Sequence, residues 1–253
     1  MFLKERQDAI AEQIQTDGRV TVSDLAQRYD VSEDCIRKDL KTLAEEGRCK
    51  KVYGGAIRVE AAPDRNIFHR IGVRTDEKRR IAEQSYELIG DGDTVFLDVS
   101  TTNIALAELL AAGTKRCIVV SNMIDLLQIL AQNPLLKVLS TGGTVNLELN
   151  GFVGTMTVDA LAPMRFNKSF IGALGIDMET GGVLTFDVDD AAVKRTALAR
   201  TETPYLVADL QKFGAPGNYE FASVADFTAL ITDEPNEGLE AAVADLGGRI
   251  LEG

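Results

Sequence analysis

Residues 31–40 read Val-Ser-Glu-Asp-Cys-Ile-Arg-Lys-Asp-Leu, a helix that begins on a cap and shows cations on its outer face. Ser32 suits the N-cap because its hydroxyl accepts a hydrogen bond from a free amide of the first turn. Glu33 and Asp34 follow in that turn, where the helix dipole favours negative charge. Ile36, Leu40 and Leu43 recur at helical spacing and form one apolar stripe, which leaves Arg37, Lys38 and Lys41 on the opposite side. A helix held from behind by a small core, with basic residues facing out, can enter a DNA major groove.

The flanking residues extend this reading. Residues 3–15 predict a first helix, with Ile10 and Ile14 one turn apart and Gly18 just beyond its end. Thr21 caps a second helix, Asp24 follows three residues later, and Leu25, Ala26 and Tyr29 can pack inward. Asp30-Val31 makes the short connection to Ser32. The third helix runs to residue 45 or 46 and stops at Gly47. Residues 48–53 alternate as a strand, Gly54-Gly55 turns the chain, and residues 56–59 return beside it. Three helices followed by a small hairpin make a winged helix-turn-helix. The residues this places against DNA are Ser32, Glu33, Asp34, Cys35, Arg37, Lys38 and Lys41 of the third helix, with Lys50, Lys51, Tyr53 and Gly54 of the wing. A helical hairpin with a merely solvated basic face would not require cap, core stripe, terminating glycine and basic hairpin to occur in this order.

The chain has 253 residues and a net charge of −12. Residues 1–57 carry ten Lys/Arg and eleven Asp/Glu, so −11 of that charge lies in the remainder. Residues 35–53 hold six cations against three acids, and an acidic remainder disfavours contact with DNA through the wrong surface. No apolar run approaches the ~20 residues that span a bilayer, and the polar start lacks a signal-peptide core. A cytoplasmic protein without a membrane partner is expected. Cys35, Cys49 and Cys117 are too dispersed for a disulfide framework or a zinc spacing. The single histidine, His69, has no evident catalytic or metal-ligating companion in the sequence. Neither metal nor cofactor is expected, nor a catalytic residue.

Ala61-Ala62-Pro63-Asp64 breaks both periodicities. The expected organisation is a DNA-binding domain at 1–57, a linker at 58–74 and an effector-binding α/β domain at 75–253. A helix starts at Thr75, and Gly90-Asp91-Gly92-Asp93 closes it. From Thr94 onward, short β-rich runs alternate with helices, which implies a mainly parallel sheet. Such sheets bind ligands at the carboxyl ends of their strands. The residues at those ends are Asp98, Ser100, Thr101 and Thr102, then Asn122, then Gly142-Gly143, then Gly172, with Asp209 and Lys212 after a later strand. Hydroxyls and free amides at a helix start suit a phosphate. Glycines let backbone amides approach a ligand closely. Lys194 lies in a helix, whose Asp189-Asp190 reads as N-terminal helix charge.

Residues 20–56 resemble the N-terminal domain of DeoR-type bacterial transcriptional regulators, whose usual run is V-S-x-T-I-R-R-D-L, then L-x-x-x-G, then a basic segment ending H-G-G-A. Cys35 stands where Thr is usual, Lys38 where Arg is usual, and Tyr53 where His is usual. Lys38 keeps the charge without the planar bidentate fork. The segments DVSTT, SN, TGGT, FIGALGID, DDAAVKR and ADLQKFG are similar, in the same order, to that family's C-terminal effector domain. The resemblance implies a sensor domain similar to ribose-phosphate isomerase, deaminase and CoA-transferase folds. It implies a DNA-binding repressor of a carbohydrate-metabolism operon, controlled by a phosphorylated sugar or related metabolite at the eleven strand-end and helix positions named above. Paired half-sites in operator DNA imply a homo-oligomer, a dimer or tetramer. The alternative is a sugar-phosphate isomerase or deaminase with an appended DNA-binding domain. That chemistry needs a positioned acid/base, for which Asp98, Asp189 and Asp190 are the candidates. In the family Gly is common at Ser100, and Asp-Ser-Ser-Lys at residues 209–212.

Overall fold

Two compact units, Met1–Ala62 and Pro63–Gly253, make up the chain. The computed structural model describes residues 3–17, 19–52, 54–57 and 66–251. Gly18, Tyr53, Val59 and the Ala61–Asp64 break named above lie outside them.

In the first unit, α1 (Leu3–Asp17), β1 (Arg19–Thr21), α2 (Val22–Tyr29) and α3 (Glu33–Glu45) are followed by β2 (Lys50–Val52) and β3 (Gly55–Ile57). Thr21 accepts from the Asp24 amide and opens α2, and Ser32 accepts from the Cys35 amide and opens α3. Between them Asp30 takes the left-handed conformation, φ 51°, which Asp tolerates better than most residues. Ile10, Ile14, Leu25, Ile36, Leu40 and Leu43 are fully or almost fully buried together. The β3 strand pairs antiparallel with both β1 and β2. The wing is therefore a three-stranded sheet into which the segment between α1 and α2 is also drawn.

One core residue of α3 is charged. Asp39 is 2% exposed. Its carboxylate accepts from Arg6 Nε at 2.7 Å and from Gln7 Nε2 at 3.1 Å, both on α1. The pairing with Asp39 holds the Arg6 guanidinium above its ordinary pKa despite partial burial. This bond joins α1 to α3 across the back of the apolar stripe.

The second unit opens with α4 (Ile67–Arg70) and α5 (Thr75–Leu88). Residues 66–74, expected in a linker, thus carry a short helix. Ile67 is fully buried in the main core of this unit, which holds the segment in place. Then come β4 (Thr94–Leu97), α6 (Thr101–Ala112), β5 (Ile118–Ser121), α7 (Ile124–Leu130), β6 (Lys137–Ser140), the hairpin β7 (Thr144–Asn146) and β8 (Gly151–Val153), and α8 (Thr155–Leu161). The chain continues through β9 (Phe166–Gly172), β10 (Gly175–Ile176), β11 (Gly182–Thr185), α9 (Val188–Leu198), β12 (Thr201–Val207), β13 (Tyr219–Ser223), β14 (Ala229–Ile231) and α10 (Glu237–Asp245).

Six strands form one parallel sheet in the order β14-β12-β9-β4-β5-β6. The pleat sends Val95 and Leu97 to one face, into a core with α5, α6 and α7. Phe96 goes to the other, with α8 and α9. Both faces are covered, as a parallel sheet requires. On the second face a smaller antiparallel sheet, β10-β11-β13, and α10 enclose a further core around Ile176, Val183 and Val243. The strand order reverses between β4 and β9: β5 and β6 lie to one side, and β12 and β14 to the other.

Removing Asp39 should strand two buried α1 donors. Asp39→Ala is expected to lower the opening free energy of α1 and α3 amides in native-state hydrogen exchange by about 2–3 kcal/mol. The pair Arg6→Met with Asp39→Leu should recover most of that loss. Unchanged exchange in Asp39→Ala would show that the ion pair holds nothing together.

Candidate DNA interface and effector pocket

The outer face of α3 is arranged as its sequence suggested. Ser32, Glu33, Asp34, Arg37, Lys38 and Lys41 are exposed, and Cys35 is half-buried with its sulfur accepting from Arg6 Nη2 at 3.2 Å. Arg37 does not stand alone. Its guanidinium donates to Glu33 at 2.5 Å and Asp34 at 2.7 Å, one turn back on the same helix. Lys41 lies 3.7 Å from Glu45. Exposed pairs of this kind contribute ~0.2–1 kcal/mol, so they break at small cost. On the wing, Lys51 and Gly54 are exposed, Lys50 lies on β2, and Tyr53 is outside the described residues. Arg48, just before the wing, bonds Asp8 of α1 at 2.7 Å.

In the second unit the reversal of strand order opens a crevice at the carboxyl ends of β4 and β9. Asp98, the residue after β4, is fully buried there. Its two oxygens both accept from the Gly172 amide at 3.0 Å, and Oδ1 also accepts from Asn103 Nδ2 at 2.8 Å. Lys194 Nζ of α9 donates to Asp98 Oδ2 and to the Gly172 carbonyl at 3.2 Å, and it lies 3.7 Å from Asp190 Oδ2. Only glycine fits at 172, because a Cβ there would meet Ser100 at 2.6 Å. Burial pushes the Asp98 carboxyl above the usual carboxylate range, against Lys194 and the Gly172 amide. Burial raises Asp190 as well, against Lys194 and Thr185. It would pull Lys194 down, but Asp190 and Asp98 outweigh it, and the ammonium is held.

An open pocket of about 50 Å³ stands over this set. That is room for a few water-sized atoms, so a larger ligand would extend through the mouth. Ser100, Gly172 and Lys194 line it, joined by Arg70, Asn146, Glu148, Thr185, Asp187 and Asp190. Asp190 is therefore not a solvated charge at a helix start. It is 2% exposed and accepts from Thr185 Oγ1 at 2.7 Å. Its Oδ1 is buried and, among the described residues, has no hydrogen-bond partner. Arg70 carried no motif, and Asp190, although inside the DDAAVKR segment, was read as helix N-terminal charge. Within that segment, the signal for its burial is the i,i+4 spacing to Lys194 among the small residues of α9.

Other expected site residues stand apart from the pocket lining. Thr101 and Thr102 form the first turn of α6, which the lining residue Ser100 caps. Asn122 Nδ2 donates to the Phe152 carbonyl at 3.0 Å, which fastens the β7–β8 hairpin to β5. Thr157 Oγ1 donates to the Gly142 carbonyl at 2.8 Å, and a Cβ on Gly143 would meet that hydroxyl at 2.1 Å. Gly143 thus admits α8, and Gly142 has open space beside it but a positive φ of 63°. Asp209 accepts from the Gln211 amide at 3.0 Å and lies 3.7 Å from Arg74 Nε. Arg74 also reaches Asp233 at 3.2 Å. Lys212 is half-buried, and burial pushes its pKa down against Asp209, with Arg70 and Arg74 adding to the fall. Lys78 nearby donates to the carbonyls of Arg70 at 2.8 Å and Val73 at 2.6 Å. Among the described residues, no group of three or more His, Cys, Asp or Glu could hold a metal ion. No described helix is long and apolar enough to cross a membrane.

Two family models match the chain: the DeoR-like helix-turn-helix domain over residues 6–62 and the DeoR C terminal sensor domain over residues 73–234. The chain belongs to the DeoR family. Its first unit is the helix-turn-helix domain of a transcriptional regulator, and its second contains the sensor domain. A Bacillus subtilis relative, named an uncharacterized HTH-type transcriptional regulator FruR, is 32% identical over 92% of each chain. The HTH-type transcriptional repressor CsqR of Escherichia coli is 31% identical over 95% of this chain and 92% of its own. The glycerol-3-phosphate regulon repressor of Escherichia coli is 29% identical over 91% of each. These are DNA-binding regulators and not enzymes, so the isomerase or deaminase alternative is not favoured. Among solved structures, a ribose 5-phosphate isomerase A from Methanocaldococcus jannaschii is 12% identical, with a TM-score of 0.40, over 55% of this chain and 54% of that one. The chain spans about half the length of such solved structures.

Burial lowers the pKa of Lys78 to about 8, with Lys212, Arg70 and Arg74 adding to the fall against Asp209. Between that value and the unfolded lysine value near 10.4, the unfolded chain binds more protons, so stability should rise with pH. From pH 7 to pH 9.5 the wild type should gain about 2 kcal/mol relative to Lys78→Met. Urea unfolding at the two values measures it, and a pH-independent difference would place Lys78 in water.

Proposed function

We propose that this chain is a repressor of carbohydrate-metabolism genes whose DNA affinity is set by a phosphorylated sugar or related metabolite bound in the second unit. The observation that carries the effector half is the mixed character of the switch-point pocket. Asp190 Oδ1 is a buried acceptor without a partner among the described residues, and such a group costs free energy until a donor reaches it. Asp187 and Glu148 line the same space. Carboxylates of this kind suit the hydroxyls of a polyol. Arg70, Lys194 and the first turn of α6, where Ser100, Thr101 and Thr102 stand, suit a phosphate. A ligand with hydroxyls at one end and an anion at the other uses both sets. Asp98 holds Lys194 and Gly172 in place. Asn122, Gly142 and Gly143 shape the hairpin and loop beside the site, and Asp209 and Lys212 extend its charge toward Arg74. The printed names of relatives agree with this class, since they include a glycerol-3-phosphate regulon repressor and a lactose phosphotransferase system repressor.

In this reading residues 1–57 bind operator DNA and residues 75–253 bind the effector. The α3 side chains Glu33, Asp34, Arg37, Lys38 and Lys41 face base edges and phosphates, and Lys50, Lys51, Tyr53 and Gly54 supply the wing's contacts. Ser32 and Cys35 stand at the end of α3 that enters the groove first. The protein works in the cytoplasm, where both DNA and sugar phosphates are found. Coupling is reciprocal: an effector that weakens DNA binding must itself bind the DNA complex more weakly by the same factor.

The experiment has two arms. Binding to a promoter fragment beside the chain's own operon should weaken steeply with salt and fall by about 100-fold or more in Arg37→Ala with Lys38→Ala. Unchanged binding would sink the DNA half. A thermal-shift screen of phosphorylated sugars and polyols should find a compound that raises the melting temperature and changes operator affinity. The shift should vanish in Arg70→Gln. A screen with neither response would refute the effector half.

A further inference from the structure

Charge in and beneath the pocket does not balance. Asp98 under its floor and Asp190, Asp187 and Glu148 in its lining are carboxylates, against the two lining cations Lys194 and Arg70. Lys194 is already committed. Its Nζ donates to Asp98 and to the Gly172 carbonyl, and it lies 3.7 Å from Asp190. Arg70 does not make up the difference, because Asp187 pushes the Asp190 carboxyl up more than Arg70 pulls it down. Asp190 Oδ2 accepts from Thr185 Oγ1 at 2.7 Å, which leaves the buried Oδ1 without a hydrogen-bond partner among the described residues. The lining carboxylates also belong to one network. Asp187 Oδ1 accepts from the amides of Asp189 and Asp190, each at 2.9 Å, and its Oδ2 accepts from Asn146 Nδ2 at 3.2 Å. Asn146 Oδ1 in turn accepts from the Glu148 amide at 3.0 Å.

A buried carboxylate that lacks donors costs free energy until a ligand supplies them. A hydroxyl supplies one hydrogen bond and no charge. A protonated amine supplies three donors and a positive charge. We propose that the effector carries a primary ammonium group, seated in this pocket with one N–H on Asp190 Oδ1 and its charge shared with Asp187 and, on the open side, Glu148. The ligand class is then an amino sugar or amino polyol and not its plain hydroxyl counterpart. This inference rests on the effector reading and narrows it. Arg70 and the first turn of α6 keep the anionic end of the ligand, and the carboxylates take a cationic one. Asp190 becomes the specificity-determining residue, since it separates two ligands that differ only by an amine in place of a hydroxyl.

Matched pairs of probes test it on the full chain, by thermal shift and titration calorimetry near neutral pH. The pairs are serinol against glycerol, glucosamine against glucose, and the 6-phosphates of the last two. In at least one pair the amine should bind about tenfold or more tightly than its hydroxyl twin. Asp190→Asn keeps an acceptor for Thr185 but removes the charge, and it should erase that preference. Glu148→Gln, at an exposed position, should reduce it, and Asp189→Asn, at the exposed neighbouring position, should leave it unchanged. Should Asp190→Asn fail to fold, Glu148→Gln and the wild-type pairs decide the matter. Hydroxyl twins that bind as tightly as the amines in every pair would overturn the proposal and leave the effector reading standing. So would a preference that survives in both Asp190→Asn and Glu148→Gln, or pairs in which neither member binds. The effector reading itself fails on a different result, when no phosphorylated sugar or polyol of any kind binds.

Discussion

The contact between Lys194 and Asp98 sets the geometry of the second unit's site. It joins the loop after β4, the end of β9 and the middle of α9, three elements that meet only because the strand order reverses between β4 and β9. A buried ammonium is tolerable only when carboxylates hold it. Asp98 and Asp190 do so from two sides, and Asn103 and the Gly172 amide orient the first of them. The pocket inherits this arrangement. Its floor is a charged group whose position is over-determined, and Arg70, Asn146, Glu148 and Asp187 add to its lining.

Both units rely on the same device. Arg6 and Asp39 are 33 positions apart, and Lys194 and Asp98 are 96 apart. In each case a buried pair links elements that local preferences alone would leave independent. Such pairs gain little net stability over apolar packing, but breaking one is costly. Their effect here is to fix which helix face turns inward. In α3 that is the face carrying Asp39 with Ile36, Leu40 and Leu43, and the choice leaves Arg37, Lys38 and Lys41 outside.

Much of this was legible in the sequence. Caps and apolar stripes marked α2 and α3 because both signals are local: Thr21 and Ser32 bond amides three residues on. The alternation of β-rich runs with helices marked the parallel sheet for the same reason, and it pointed to the strand ends where Asp98 and Gly172 stand. The missed features depend on distant partners. Asp189 and Asp190 look alike in sequence, and only packing of α9 against β9 and β11 buries the second. The helix α4 has one turn, too short for periodicity, and its burial rests on Ile67 alone. Gly142-Gly143 was legible as a need for close approach, and the group that approaches Gly143 within the fold is Thr157, which its own segment does not announce. Asn122 likewise proved to face a hairpin, β7–β8, that its own segment does not announce.

The two faces of α3 also differ in how freely they can change. Substitutions among Ile36, Asp39, Leu40 and Leu43 disturb a core shared with α1 and α2. The outward residues make only exposed pairs along their own helix, so replacing them alters little beyond what the helix presents to a groove. If these residues read the operator as proposed, its preference can drift quickly within a lineage while the scaffold stays constant. A duplicated copy of such a gene could acquire a new set of targets through a handful of surface changes, with no intermediate that fails to fold.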